Sequence, residues 1–121
     1  MKSEFVTYEI ALKLKELGFN EECLGIYLNK EFRFAHFSRQ VSAEIGQSAP
    51  LWQQVIDWFR EKYKISIAID MNCMEDSGFV FYLGNMDDRT TIFESYVHFN
   101  TYQKAREQAI LKALTLIKNE K

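Results

Sequence analysis

Three strand-like segments follow one another between residues 65 and 99, and the short stretches between them constrain the fold most. The segments read ISIAID (65–70), FVFYL (79–83) and IFESYVHF (92–99), and eight residues separate each from the next. A parallel crossover needs about a dozen residues or more, so consecutive strands here must pair antiparallel. The first segment alternates isoleucine with smaller or polar residues, which is typical of a strand buried on one face. The sequence therefore predicts a mostly antiparallel meander.

Two helical patterns precede these strands. Thr7 is a predicted N-cap for a helix over residues 7–17, and Gly18 supplies the left-handed residue that ends it. Ser48 as N-cap and Pro50 in the first turn predict a second helix, APLWQQVIDWFREKY, because proline lacks only an amide that would be unpaired there. Its apolar side chains cover an arc of about 160°, which favours a helix lying across a sheet.

A hairpin is predicted between these two helices. The runs CLGIYL (23–28) and FRFAHF (32–37) are rich in aromatic and branched residues, and a polar turn at 29–31 separates them. The following stretch, SRQVSAEIGQS (38–48), breaks both periodicities and is expected to be a loop, with Val41 and Ile45 available to hold it to the core.

A last helix follows the third strand of the meander. Asn100 or Thr101 caps it, and apolar residues recur at helical spacing over TYQKAREQAILKAL. Leu111 stands on the polar side of this helix, beside Lys104 and Thr115.

The predicted architecture is a single α+β domain over residues 1–121. Its order is α-β-β-α-β-β-β-α, with helices packed on one face of a mostly antiparallel sheet. One proline and five glycines in the chain leave little room for a flexible linker.

Composition excludes some classes of partner. Fifteen Lys and Arg against seventeen Asp and Glu give a net charge of −2, without the basic field typical of nucleic-acid or membrane binding. Cys23 and Cys73 are too few for a disulfide framework and are expected to be free and reduced. No apolar run approaches the roughly 20 residues of a membrane span, so a cytoplasmic location without a membrane partner is expected.

The sequence shows no pattern typical of catalysis, cofactor binding or metal binding. His36 and His98 lie within aromatic strands and have no nucleophile or carboxylate at a recognisable spacing. The acidic stretches 70–76 and 87–88 do not match a calcium loop and are interpreted as solvated turns. We therefore expect no enzyme activity, no cofactor and no metal.

Aromatic residues make up 15% of the chain, and most of them must form the core. Some strand residues alternate away from the presumed core face and would form an amphipathic patch if helices cover only the other face. This patch is the predicted contact with a protein partner, either a second copy in a homo-oligomer or another protein bound by an adaptor. Its residues are Val80, Tyr82, Ile92, Tyr96 and His98, with Trp58 at the margin of the second helix.

Three segments carry a resemblance to a known group of proteins. They are FVTYEIALKLKELGFNEECLGIY at the start, SAPLWQQVIDWFREKYKI in the middle and TYQKAREQAILKALTLIKNEK at the end. Together they resemble a family of small uncharacterised proteins encoded in phage and mobile-element regions of gut bacteria. The match covers about half of the chain, and it implies a biological context without an activity.

A second resemblance concerns topology. The predicted order α-β-β-β-α over residues 49–119 is similar to that of the double-stranded RNA-binding domain, and TYQKAREQAILKAL is similar to the last helix of that domain. The resemblance implies Lys104 and Arg106 as phosphate contacts. Nucleic-acid binding is accordingly the alternative function.

Overall fold

The computed structural model describes residues 4–21, 23–34, 47–72, 78–95 and 98–120. Within these residues it contains three helices and six strands, and every strand pairing is antiparallel. The predicted α+β class and antiparallel pairing are confirmed, with one strand more than expected. The elements are α1 (Tyr8–Glu16), β1 (Gly25–Leu28), β2 (Glu31–Phe34), β3 (Gln47–Ala49), α2 (Trp52–Tyr63), β4 (Ile65–Asn72), β5 (Gly78–Asn85), β6 (Thr91–Glu94) and α3 (Tyr102–Glu120).

The chain divides into two compact units, Met1–Val55 and Ile56–Lys121, and the boundary falls within α2. The first unit contains a three-stranded sheet of order β2-β1-β3, and the second contains a three-stranded sheet of order β4-β5-β6. The predicted single sheet is therefore wrong, because its strands divide between two sheets. The single domain over residues 1–121 stays a prediction.

Helix α1 has the caps that the sequence predicts. The Thr7 hydroxyl accepts a hydrogen bond from the Ile10 amide at 3.4 Å and so satisfies one of the unpaired amides of the first turn. At the other end Gly18 has a φ of 91°, and the Phe19 amide donates to the Leu14 carbonyl at 2.9 Å. Ile10 and Leu14 are buried, so the apolar face of α1 belongs to the core.

The predicted hairpin is confirmed by β1 and β2. Its turn consists of two residues, Asn29 and Lys30, whose φ values of 52° and 69° match the turn type that suits the twist of two antiparallel strands. Strand β3 pairs with the other side of β1 and packs against α1. Most of the stretch 38–48 lies outside the described residues, but its last two residues belong to β3.

The start of α2 differs from the prediction. Ser48 pairs with Ile26 in the β1–β3 ladder, so it cannot cap a helix, and α2 begins at Trp52. The Gln54 side chain caps this end instead, because its Oε1 accepts a hydrogen bond from the Leu51 amide at 3.3 Å. The local pattern predicts helix from residue 49 because it contains no sign that Ala49 pairs with Gly25 of β1.

Tyr27 forms a hydrogen bond from β1 to the segment before α1. Its hydroxyl donates to the Val6 carbonyl oxygen at 2.7 Å, and both residues are buried. Burial raises the pKa of Tyr27, so the hydroxyl stays protonated and able to donate.

We expect Tyr27→Phe to lower the free energy of unfolding by about 1–3 kcal/mol, since it leaves the buried Val6 carbonyl without this donor. Urea denaturation followed by circular dichroism measures the change. Tyr8→Phe is the matched control, because Tyr8 is only half-buried and meets Tyr27 through ring edges. Equal losses in the two variants would contradict the role assigned to the hydrogen bond.

In the second unit, α3 packs against β4 and β5. Thr101 is its N-cap, because the Thr101 hydroxyl accepts from the Lys104 amide at 3.1 Å. Three alanines on the inner face of α3 are fully buried, and their small side chains let the helix approach the sheet closely. These are Ala105, Ala109 and Ala113.

The two faces of the second sheet differ. Ile67 and Leu83 are opposite each other on the face that α3 covers, and Leu83 is fully buried. Ala68 and Asp70 alternate to the other side and are exposed. We call the side that carries Ala68 and Asp70 the open face.

A single residue, Lys64, joins α2 to β4. Its φ of 58° is left-handed, and its carbonyl accepts a hydrogen bond from the Met86 amide at 2.8 Å. The single-residue joint at Lys64 determines which β4 side chains point toward α3, and the first of them, Ile65, is buried.

Candidate interaction sites

Two residues of the predicted patch are buried. Trp58 is 5% exposed and Val80 is 7% exposed, so the expectation that they are available to a partner is wrong. The Trp58 ring packs edge-on against the rings of Phe59 and Tyr63, with centroids 5.2 and 5.3 Å away. Val80 lies on the central strand β5 opposite Asp70, so it is buried although it shares the open face with that exposed residue.

The remaining patch residues differ in exposure and register. Tyr82 is half-buried on the open face, whereas His98 is exposed after β6. Ile92 is 41% exposed. It has no partner on β5, because Leu83 pairs with Phe93 and the next residue, Gly84, pairs with Thr91, so Ile92 is the extra residue of a β-bulge. Tyr96 lies outside the described residues. Strict alternation along β6, on which the predicted patch depended, therefore fails at Ile92.

The two predicted phosphate contacts lie in the first turns of α3. Lys104 is exposed, whereas Arg106 is half-buried and its Nε atom is buried. The Arg106 guanidinium carbon lies 5.5 Å from the centroid of the Tyr102 ring. Packing on this ring holds Arg106 against the protein, so the two residues do not present equivalent cations to solvent.

Comparison with known proteins yields no relative. No family model, curated protein or solved structure matches the chain. None of the helices in the described residues is both long and apolar enough to cross a membrane. Within the same residues, no three side chains of His, Cys, Asp or Glu gather as metal ligands would.

The acidic stretch at 87–88 forms a turn between β5 and β6, as interpreted from the sequence. The Asn85 side-chain oxygen accepts from the amides of Asp87 and Asp88 at 2.8 and 3.4 Å. The Asp88 carboxylate accepts from the hydroxyl and the amide of Thr90, and these bonds lower the pKa of Asp88. The Asp88 Oδ1 atom, which accepts both bonds, thus stabilises the turn locally.

The outer edge of β4 is a candidate site for pairing with another strand. The backbones of Phe79 and Phe99 exchange hydrogen bonds at 2.8 Å, and the Ser95 amide donates to the Phe81 carbonyl. The backbone N–H and C=O groups of the odd residues of β5 therefore point away from β4. By alternation, the even residues of β4 bond to β5. The amides and carbonyls of Ile65, Ile67, Ile69 and Met71 therefore point outward, and no other strand of the described residues pairs with that edge.

The sequence and register of β4 lack the residues and bulges that usually protect an edge strand. It has eight residues in continuous register with β5, no proline or lysine, and Asp70 as its one charged residue. The opposite edge strand, β6, has four residues and a register shift, and β2 has four residues with two charges. Long, flat and largely uncharged edges are the ones that pair with other chains.

A groove on the α3 side of the second sheet is the other candidate site. It has a volume of about 410 Å³. The buried Phe81 ring forms its floor, with Phe93 and Phe99 on either side. The rings of Phe93 and Phe99 are inclined by only 26° and 22° to Phe81, at centroid distances of 5.6 and 6.1 Å. The α3 wall consists of Gln108, Leu111, Lys112 and Thr115.

The groove follows from the widths of the elements. Strands are about 4.8 Å apart and a helix is about 10 Å wide, so α3 on β4 and β5 leaves the β6 side of the face uncovered. Backbone contacts extend that side, because Ser95 and Phe99 both bond to β5 beyond the end of β6. The Ser95 hydroxyl accepts from the Phe81 amide at 3.0 Å and thereby replaces a main-chain acceptor.

One cation stands at the rim of the groove. The Lys112 Nζ lies 4.5 Å from the centroid of the Phe93 ring, close enough for a cation–π interaction. Among the described residues that line the groove, Lys112 is the only charged one. The site therefore combines an apolar floor with a single positive charge.

Sequence reasoning did not identify either candidate site. The edge of β4 requires knowledge of strand order, which a local pattern does not contain. The groove had one sequence signal, namely Leu111 on the polar side of α3 beside Thr115, and both residues line it.

Proposed function

We propose that the chain is a non-enzymatic association module that forms a homodimer by pairing the outer edges of two β4 strands. The observation that supports this proposal is the row of outward backbone groups along an unprotected eight-residue edge. Pairing two such edges satisfies these groups and joins two three-stranded sheets into one continuous sheet. A second copy of the chain is thus a partner of matching geometry.

One antiparallel register pairs the most backbone groups. A two-fold axis beside Ala68 places Ile67 opposite Ile69 of the second copy and Ile65 opposite Met71. All four outward residues then form hydrogen-bonded pairs. A shift of the axis to either neighbouring isoleucine leaves an outward residue without such a pair.

The same register suits the side chains. On the open face Asp70 meets Ser66 of the second copy, whose hydroxyl can donate to the carboxylate. Asp70 is the one charged residue of β4, so no like charges oppose each other. Ala68 lies opposite Ala68 of the second copy across the two-fold axis.

We expect the protein to be a dimer at about 10 µM, by sedimentation velocity or light scattering, and Ala68→Lys to weaken the dimer by about tenfold or more. The substitution sets two ammonium groups against each other across the axis. Ala68 is exposed on the open face, so the second unit tolerates the change. Ala68→Glu should weaken the dimer in the same way.

An equimolar mixture of the two variants tests the register. Lysine then faces glutamate, so the mixture should form heterodimers more tightly than either variant alone forms homodimers. Glu94→Lys is the control, since this exposed residue lies on β6 and its replacement should leave the dimer intact. A monomeric wild type, or an Ala68→Lys variant that dimerises normally, would overturn the proposal.

A further inference from the structure

We infer that the groove between α3 and the β6 side of the second sheet binds a small-molecule carboxylate with an aromatic body. This inference concerns a different surface from the β4 edge and does not depend on dimer formation. The volume of the groove, about 410 Å³, lies within the range of small-ligand sites. The described residues that line the groove all belong to the second unit.

The floor of the groove favours a flat ring. The Phe81 ring is nearly parallel to the rings of both Phe93 and Phe99, with angles of 26° and 22° and centroid distances of 5.6 and 6.1 Å. A planar aromatic ligand continues such an arrangement with offset-stacked or edge contacts, which add to the gain from apolar burial. An alkyl chain of equal area gains the burial alone, so the geometry favours the aromatic body.

The rim determines the charge of the ligand. Lys112 is the one charged residue in the part of the lining that the structure describes, and its Nζ lies 4.5 Å from the centroid of the Phe93 ring. A carboxylate beside this ammonium forms a charge-assisted hydrogen bond in a partly apolar setting. Gln108 and Thr115 are neighbouring polar residues of the same wall.

The probe is 2-naphthoate, and its neutral analogue 2-naphthamide reports on the charge. We expect 2-naphthoate to bind at one site with a Kd below about 1 mM by titration calorimetry. It should also shift the side-chain NMR signals of Phe93 and Phe99. Lys112→Gln should weaken 2-naphthoate binding by about fivefold or more and leave 2-naphthamide binding unchanged.

Two further variants locate the site. Thr115→Trp places an indole in the groove from an exposed helix position and should abolish binding of both probes. Lys118→Gln removes an exposed charge from the same helix outside the groove and should have no effect. Thermal unfolding of each variant verifies that it is folded.

Three results would overturn the inference. They are the absence of saturable 2-naphthoate binding, equal binding to wild type and Lys112→Gln, and tighter binding of decanoate than of 2-naphthoate. The first two remove the site or its cation, and the third removes the preference for an aromatic body.

Discussion

Replacing Phe59 by alanine should lower the free energy of unfolding by about 3–5 kcal/mol. Phe59 is fully buried, and its ring contacts those of Trp58 and Tyr63 at centroid distances of 5.2 and 6.0 Å. The substitution removes the transfer free energy of the ring and leaves a cavity that tightly packed neighbours cannot fill. For a chain of 121 residues the melting temperature should fall by about 10–20 °C.

Phe34→Ala is the matched control for this prediction. It deletes the same atoms from a side chain that is 51% exposed, so the loss should stay below about 1 kcal/mol. Chemical denaturation followed by tryptophan fluorescence measures both variants. Similar losses at the two positions would show that Phe59 is not the packing centre assigned to it.

The Cys23 thiol should react about a thousandfold more slowly in the folded protein than in the unfolded chain at about pH 8. Burial, with a smaller contribution from the charge of Glu21, raises the pKa of Cys23 from 9.0 to about 12. The thiolate is the reactive form, and three units of pKa lower its population a thousandfold. The thiol also donates to the Glu21 carbonyl at 3.3 Å.

The test uses a Cys73→Ser variant, which leaves Cys23 as the one thiol of the chain. Its rate of reaction with a disulfide reagent is measured with and without guanidinium chloride. Since folding raises the pKa of Cys23, deprotonation favours the unfolded chain, and stability should fall as the pH rises above about 9. Rapid reaction in the folded state would contradict the burial assigned to Cys23.

Local signals predicted much of the fold. Thr7 and Thr101 cap helices as expected because a hydroxyl acts within one turn, and Gly18 ends α1 for an equally local reason. The antiparallel meander followed from loop length alone. Each of these features depends on residues close together in the chain.

Features that depend on distant residues were not predicted. Strand β3 exists because Ser48 pairs with Ile26, and this pairing shortens α2 from its expected start. The extra residue Ile92 interrupts the alternation on which the predicted patch relied. Burial of Trp58 depends on side chains that surround the helix, which its periodicity does not specify. The candidate sites were missed for the same reason.

The single-residue joint at Lys64 limits how this sequence can diverge. An insertion or deletion there would move every side chain of β4 to the opposite face and turn its isoleucines away from α3. The left-handed φ of 58° also disfavours β-branched residues and proline at this position. Among homologues that keep this fold, the number of residues between the positions of Phe59 and Ile67 should therefore be invariant, even where the residues themselves change.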